Sequence, residues 1–218
     1  PHQSSAASDV YKRQLLNQEG NKDQAIQVLQ PAASTDLKAS SKNFVPVYLR
    51  LADWNQDKEN WSQALKYYQS VQQVDSENLD PKVKTYVDSQ VLGLRKYFGT
   101  QKLANAIEKK DWPQVSKLTK KGLKDGTLQP DVEVLRSWLQ AEKEQKRWSE
   151  VLAVYDRLES KDPKSIQTIF DYQARGQAAE ATKQSQKAIA FYSKAYELAE
   201  PNEKVNWALY ILSLIHIS

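Results

Sequence analysis

Trp61-Ser-Gln-Ala64-Leu-Lys-Tyr-Tyr68, Trp112-Pro-Gln-Val115-Ser-Lys-Leu-Thr119 and Trp148-Ser-Glu-Val151-Leu-Ala-Val-Tyr155 can be laid over one another. Asp23-Gln-Ala25-Ile-Gln-Val-Leu29 and Gln186-Lys-Ala188-Ile-Ala-Phe-Tyr192 share the later part of the same pattern. Taking Ala25, Ala64, Val115, Val151 and Ala188 as equivalent gives spacings of 39, 51, 36 and 37 residues. Periods of this size mark arrays of helical hairpins. The one overlong gap marks an insertion.

The residue types explain the period. Small side chains such as Ala52, Ala64, Ala188 and Ala195 let two helix backbones approach closely, and Tyr68, Tyr155 and Tyr192 fill the space toward the next hairpin. A single hairpin buries too little apolar surface to stand alone, so neighbours must stack. Pro81, Pro163 and Pro201 follow helical runs, where Pro is tolerated in the first turn of a new helix. Ser76, Asp80 and Asp162 stand where they can cap the next helix. Trp61, Trp112 and Trp148 open second helices and close them against the first, which makes them structural residues. The pattern predicts second helices near 22–33, 60–74, 112–124, 148–160 and 185–199. The insertion reads as an extra or extended helix over 81–98, with Val83, Val87, Val91 and Leu94 on one face. Leu103, Ala106 and Ile107 then precede Trp112, and whether 81–110 is one helix or two depends on Gly93 and Gly99. Ser34 to Asn43 reads as a loop, and Gly126 as a helix stop before Pro130.

The segment Gln186 to Pro201, QKAIAFYSKAYELAEP, with Ala188, Tyr192, Ala195 and Pro201, resembles the tetratricopeptide family. Trp148 to Pro163, WSEVLAVYDRLESKDP, is a second match, with Leu158 where the family prefers a small residue. Phe44 to Asn78 is a third, through Tyr48, Leu51, Ala52, Ala64 and Tyr68, and Trp207 and Tyr210 suit a further first helix. The resemblance covers most of Gln18 to Tyr210. It implies an all-α fold, an α-solenoid of antiparallel helix hairpins wound into a right-handed superhelix over 15–210. Some family members grip a chaperone's C-terminal carboxylate with a Lys/Asn/Arg clamp. The matching places here hold Leu49 and Asp53, then Gln101, then Glu133 and Ser137, so the clamp is not expected.

In such a stack the first helices line the concave side, where a peptide or partner helix can lie. The candidate inward residues are Arg50 and Asp53, then Arg136, Gln140 and Lys143, then Gln173 and Gln177. The expected function is a non-catalytic scaffold binding a protein or peptide. The competing readings are a regulatory or targeting segment of a larger enzyme, or a cell-envelope assembly factor.

Composition narrows the chemistry. The chain of 218 residues carries 31 Lys and Arg against 27 Asp and Glu, a formal net charge of +4, which is no nucleic-acid footprint by itself. Lys117, Lys120, Lys121 and Lys124 fall on one helical face and form the only local basic stripe singled out, read as a solvated face. Cys is absent, and the two histidines, His2 and His216, sit near the ends. The interior therefore offers no His base, no Cys nucleophile and no thiolate metal site, and no Gly-rich phosphate loop is present. No cofactor is expected. The carboxylate pairs Glu142 with Glu144 and Asp156 with Glu159 read as exposed, solvated charge.

Both ends stand apart. SAASDVYKRQ within 1–14 and LSLIHIS within 211–218 resemble translated sequencing-adapter read-through in gene predictions from environmental DNA. Both are expected to be non-native, with the natural bacterial protein continuing past each. The alternative is that Asp9 to Gln14 ends one helix and Ile211 to Ile217 begins another. The compartment stays open between cytoplasm and periplasm or envelope, with any membrane contact left to flanking regions or a partner.

Overall fold

The computed structural model describes residues 26–27, 45–74 and 79–217. The second helix expected near 22–33, the 34–43 loop, the capping Ser76 and the segment 1–14 lie mainly or wholly outside them. Among the described residues all regular structure is helical: α1 Val45–Asp57, α2 Trp61–Gln72, α3 Pro81–Glu108, α4 Trp112–Asp125, α5 Val132–Glu144, α6 Trp148–Lys161, α7 Ile169–Ala181, α8 Ser185–Leu198 and α9 Pro201–Ile217. A short 3-10 turn, Pro163–Ile166, precedes α7.

Four chain reversals define the architecture, and they are built alike. Between α1 and α2 the Glu59 N–H donates to the Gln56 carbonyl and the Asn60 N–H to the Asn55 carbonyl. The same two bonds recur as Lys110 to Ile107 with Asp111 to Ala106, as Lys146 to Lys143 with Arg147 to Glu142, and as Lys183 to Glu180 with Gln184 to Ala179. This is the Schellman pattern, which satisfies the last carbonyls of a helix through a left-handed residue. Glu59, Lys110, Lys146 and Lys183 carry the positive φ, between 53° and 60°. Each turn delivers the chain directly into a second helix. Ala64, Val115, Val151 and Ala188 then donate to Asn60, Asp111, Arg147 and Gln184, so the repeat-defining positions are the first to be locked. All four are fully buried.

The chain divides into two compact units at Arg95 and Lys96, and α3 contributes to each. In the first unit Tyr48, Leu51, Ala52, Ala64, Tyr68 and Val71 form a core with Val87, Val91 and Leu94 of α3, and Ile26 packs against it. In the second unit one cluster joins Leu103, Ala106 and Val115 to Leu128 and Ala141. A second joins Leu135, Trp138 and Leu139 to Val151, Tyr155 and Leu158. A third joins Ala179, Ala188 and Tyr192, with Trp207, Ile211 and Leu214 packed against it. Trp61, Trp112 and Trp148 each lie half-buried against one of these cores.

The open question over 81–110 has a plain answer. Pro81–Glu108 is one helix, and neither Gly93 nor Gly99 breaks it. Gly126 does stop α4, with φ +75°, and Asp131 caps α5 one residue after Pro130. Residues 211–217 continue α9, which exposes Val205, Leu209 and Leu212. Among the described residues no helix is long and apolar enough to cross a membrane.

Candidate functional site

Helix α5 has two chemically distinct sides. Leu135, Trp138, Leu139 and Glu142 are buried. Glu133, Ser137, Gln140 and Glu144, spaced by three or four residues, make the opposite, more accessible ridge. A depression flanks this ridge on each shoulder. On the α3 side Leu103, Ile107, Leu128 and Val134 give an apolar floor rimmed by Lys96 and Glu133, in a space of about 240 Å³. On the α7 side Arg136, Gln140, Lys143, Tyr155 and Phe170 bound a more polar one of about 290 Å³, with Asp171 at its base.

Asp171 organises this second depression. Thr168 caps α7, and its hydroxyl accepts from the Asp171 N–H at 3.1 Å while donating to Asp171 Oδ2 at 2.6 Å. The Arg136 guanidinium reaches both carboxylate oxygens, at 2.6 and 3.3 Å, and also donates to the Ser165 carbonyl. The Tyr155 hydroxyl donates to Oδ1 at 3.3 Å. Burial by itself raises the Asp171 pKa, but the bonds from Arg136, Thr168 and Tyr155 outweigh it and hold the carboxyl below its ordinary value. Burial first, then the Asp171 charge, pushes the Tyr155 phenol up. Sequence reasoning missed Asp171, whose partner Arg136 is 35 residues away. The Thr168-x-x-Asp171 spacing was the available signal, because it resembles a capping box.

The seven expected groove residues fall into different situations. Arg136, Gln140 and Lys143 line one depression. Gln140 donates to Glu144 at 2.7 Å, and the Lys143 ammonium has no ion-pair partner among the described residues. Gln173 is half-buried and Gln177 exposed, one and two turns along α7 from Phe170, which is 75% exposed. In the first unit Arg50 is exposed, 5.7 Å from the Trp54 ring centre. Asp53 there accepts from the hydroxyls of Tyr68 at 2.6 Å and Tyr86 at 2.9 Å.

The carboxylate and lysine readings need correction in part. Glu142 is fully buried, although the sequence reading put it on an exposed face. Its Oε1 accepts from Ser116 at 2.5 Å and Trp138 Nε1 at 2.6 Å, and Lys120 and Arg147 stand at 3.4 and 3.7 Å. Oε1 is thus fully satisfied, whereas buried Oε2 has no hydrogen-bond partner and only the Arg147 charge, at 3.7 Å, to offset its lost hydration. Glu144, Asp156 and Glu159 are exposed, and Glu159 pairs with buried Arg175 at 2.7 Å. Lys117, Lys121 and Lys124 are exposed, whereas Lys120 folds onto Glu142 and, at 3.0 Å, Glu150. Among the described residues no group of three or more His, Cys, Asp or Glu could hold a metal ion.

No family model matches the chain. No curated protein matches it either. Solved structures do. The TPR2AB domain of yeast Sti1 in complex with pHSP90 is 17% identical, with a TM-score of 0.42, over 92% of this chain and 80% of that one. The C-terminal part of a TPR repeat-containing protein from Cytophaga hutchinsonii is 17% identical, with a TM-score of 0.40, over 94% and 86%. BtubC from P. vanneervenii is 12% identical, with a TM-score of 0.37, over 92% and 82%. The fold is tetratricopeptide-like. What makes it so is its own geometry: four helix–turn–helix units with one turn design and one register of buried small residues.

Proposed function

We propose that this chain is a non-catalytic protein-interaction scaffold that receives a peptide or partner helix on the accessible ridge of α5 and the depressions beside it. The observation that carries this reading is the state of the residues expected to face a groove. Asp53 and Arg136 are consumed by the fold, but Lys143, Gln173 and Gln177 are not, and Ile107 and Val134 stay only partly buried on the apolar floor. A polar rim around an apolar floor, as on the α3 side, is the usual anatomy of a recognition surface. Non-catalytic character is supported by an interior without His or Cys and by two buried acids, Glu142 and Asp171, whose partners are groups of the fold itself.

The test is selection of binders from a displayed random-peptide library, followed by affinity measurement on variants. Ser137→Arg and Gln140→Arg on the ridge should weaken selected peptides by about tenfold or more. Lys117→Glu, on the exposed side of α4, should leave them unchanged. Binders that respond only to Lys117→Glu, or a library yielding none, would remove the proposal.

A further inference from the structure

The three tyrosine-bearing hairpins are the same device with one changed, and the change points to a ligand. In the first, the Tyr68 hydroxyl meets Asp53 and Gln56 of its own first helix, and Tyr86 of the next helix closes the space, its ring 6.1 Å from Tyr68 and edge-on at 77°. In the last, Tyr192 meets Glu180 of its own first helix, and Tyr210 of the next helix closes the space at 5.0 Å and 89°. The Tyr210 hydroxyl also donates to Glu180 at 2.8 Å. Aligned on the shared turns, Gln140 takes the place of Asp53, and Lys143 takes the place of Gln56 and Glu180.

In the middle hairpin no tyrosine arrives from the next helix. Helix α7 brings Asp171 to the Tyr155 hydroxyl and leaves Phe170 at the rim. The depression of about 290 Å³ is bounded by Tyr155, Gln140 and Lys143, the counterparts of the groups that Tyr86 and Tyr210 touch. It falls just under the range of about 300–1,000 Å³ usual for a whole small molecule, which suits one side chain of a larger partner.

The polarity is also reversed. Elsewhere a carboxylate accepts from the closing tyrosine. Here Gln140 stands for Asp53, and the counterpart of Glu180 is Lys143, which can only donate, so the group meeting Lys143 must accept and is best anionic. Among the described residues the one acid lining the depression, Asp171, is already paired with Arg136. We infer that this depression receives a peptide carrying an aromatic residue beside a carboxylate, the ring lying against the exposed Phe170 and the carboxylate on Lys143. The inference rests on the scaffold reading and deepens it.

The test uses the full chain and three short labelled peptides, alike except for a central Phe-Asp, Ala-Asp or Phe-Lys pair, in fluorescence polarisation at physiological salt. Phe-Asp should bind about tenfold or more tighter than either relative, and Lys143→Glu and Phe170→Ser should each remove that preference. Both positions keep their fold readout, because Lys143 has no ion-pair partner among the described residues and Phe170 is mostly exposed. Unchanged thermal melts will confirm this. Equal binding of the three peptides, binding of none, or a preference that survives Lys143→Glu overturns the inference. Library-selected binders that depend on Ser137 but ignore Lys143→Glu would leave the scaffold reading standing while this pocket assignment falls.

Discussion

Gly176 makes the space that the Tyr192 ring occupies: a Cβ on Gly176 would lie 2.4 Å from Tyr192 Cε1 and 2.7 Å from two further ring atoms. The ring cannot retreat, since Trp207, tilted by 36°, and Tyr210, edge-on, pack against it from α9. Gly176→Ala should therefore destabilise by about 1–3 kcal/mol through overpacking. Gly93, mid-helix with nothing within 4 Å of its Cβ position, is the opposite case. There Gly93→Ala should stabilise by up to about 1 kcal/mol through helix propensity. Urea midpoints of the two variants should move in opposite directions.

The four hairpin turns give a second prediction. Lys110, Lys146 and Lys183 occupy left-handed conformations that cost an L-residue about 1–2 kcal/mol, part of which glycine gives back through its freer unfolded chain. Each Lys→Gly change should raise stability by about 0.5–1 kcal/mol, whereas Lys→Ala at the same places should not. Thermal melts of Lys146→Gly against Lys146→Ala provide the check, and a loss of stability in the glycine variant would contradict the turn geometry.

These turns also show what could be read from the sequence. Ala64, Val151 and Ala188 with Tyr68, Tyr155 and Tyr192 announce the hairpins, because burial between close helices demands small and aromatic residues at fixed spacing. The left-handed residues carry no such mark, since Glu or Lys in place of Gly hides a Schellman turn. The site was less legible than the fold. Arg136, Gln140 and Lys143 could be placed on one face by helical spacing, but the claim of Asp171 on Arg136 arises across two hairpins. Glu142 looks like one more surface carboxylate until Ser116 and Trp138 are seen to enclose it.

Alkaline pH should loosen the fold through its buried phenols. Burial is the main cause of the raised pKa values of Tyr68, Tyr155 and Tyr192, with hydrogen bonds or nearby carboxylates adding to it. A pKa raised on folding means that the native state holds its proton more tightly than the unfolded chain. Its stabilisation is complete below the unfolded value of about 10 and is lost as pH rises beyond it. The melting temperature should fall more steeply above that pH for the parent chain than for Tyr68→Phe or Tyr192→Phe. Equal slopes would mean that these phenols ionise freely.

The pair of Arg136 and Asp171 should respond asymmetrically to truncation. Arg136 is partly open to water, so Asp171→Ala leaves a cation that can rehydrate, and the loss should be about 2 kcal/mol after allowing for solvent screening. Arg136→Ala instead strands a carboxylate that is 3% exposed with only Thr168 and Tyr155 as side-chain donors, and should cost roughly 3 kcal/mol. The pH dependence separates the two. In the parent chain the depressed pKa of Asp171 gives stability that is present above the unfolded value of about 3.9 and is lost as pH falls through the folded one. Without Arg136, burial dominates and raises that pKa, so the variant gains relative to the parent as acid protonates the stranded carboxyl. The gap in urea midpoint between parent and Arg136→Ala should narrow between neutral pH and about pH 4. A gap constant over that range would show that Arg136 does not set the Asp171 pKa, and that the pairing does not set the rim of the depression.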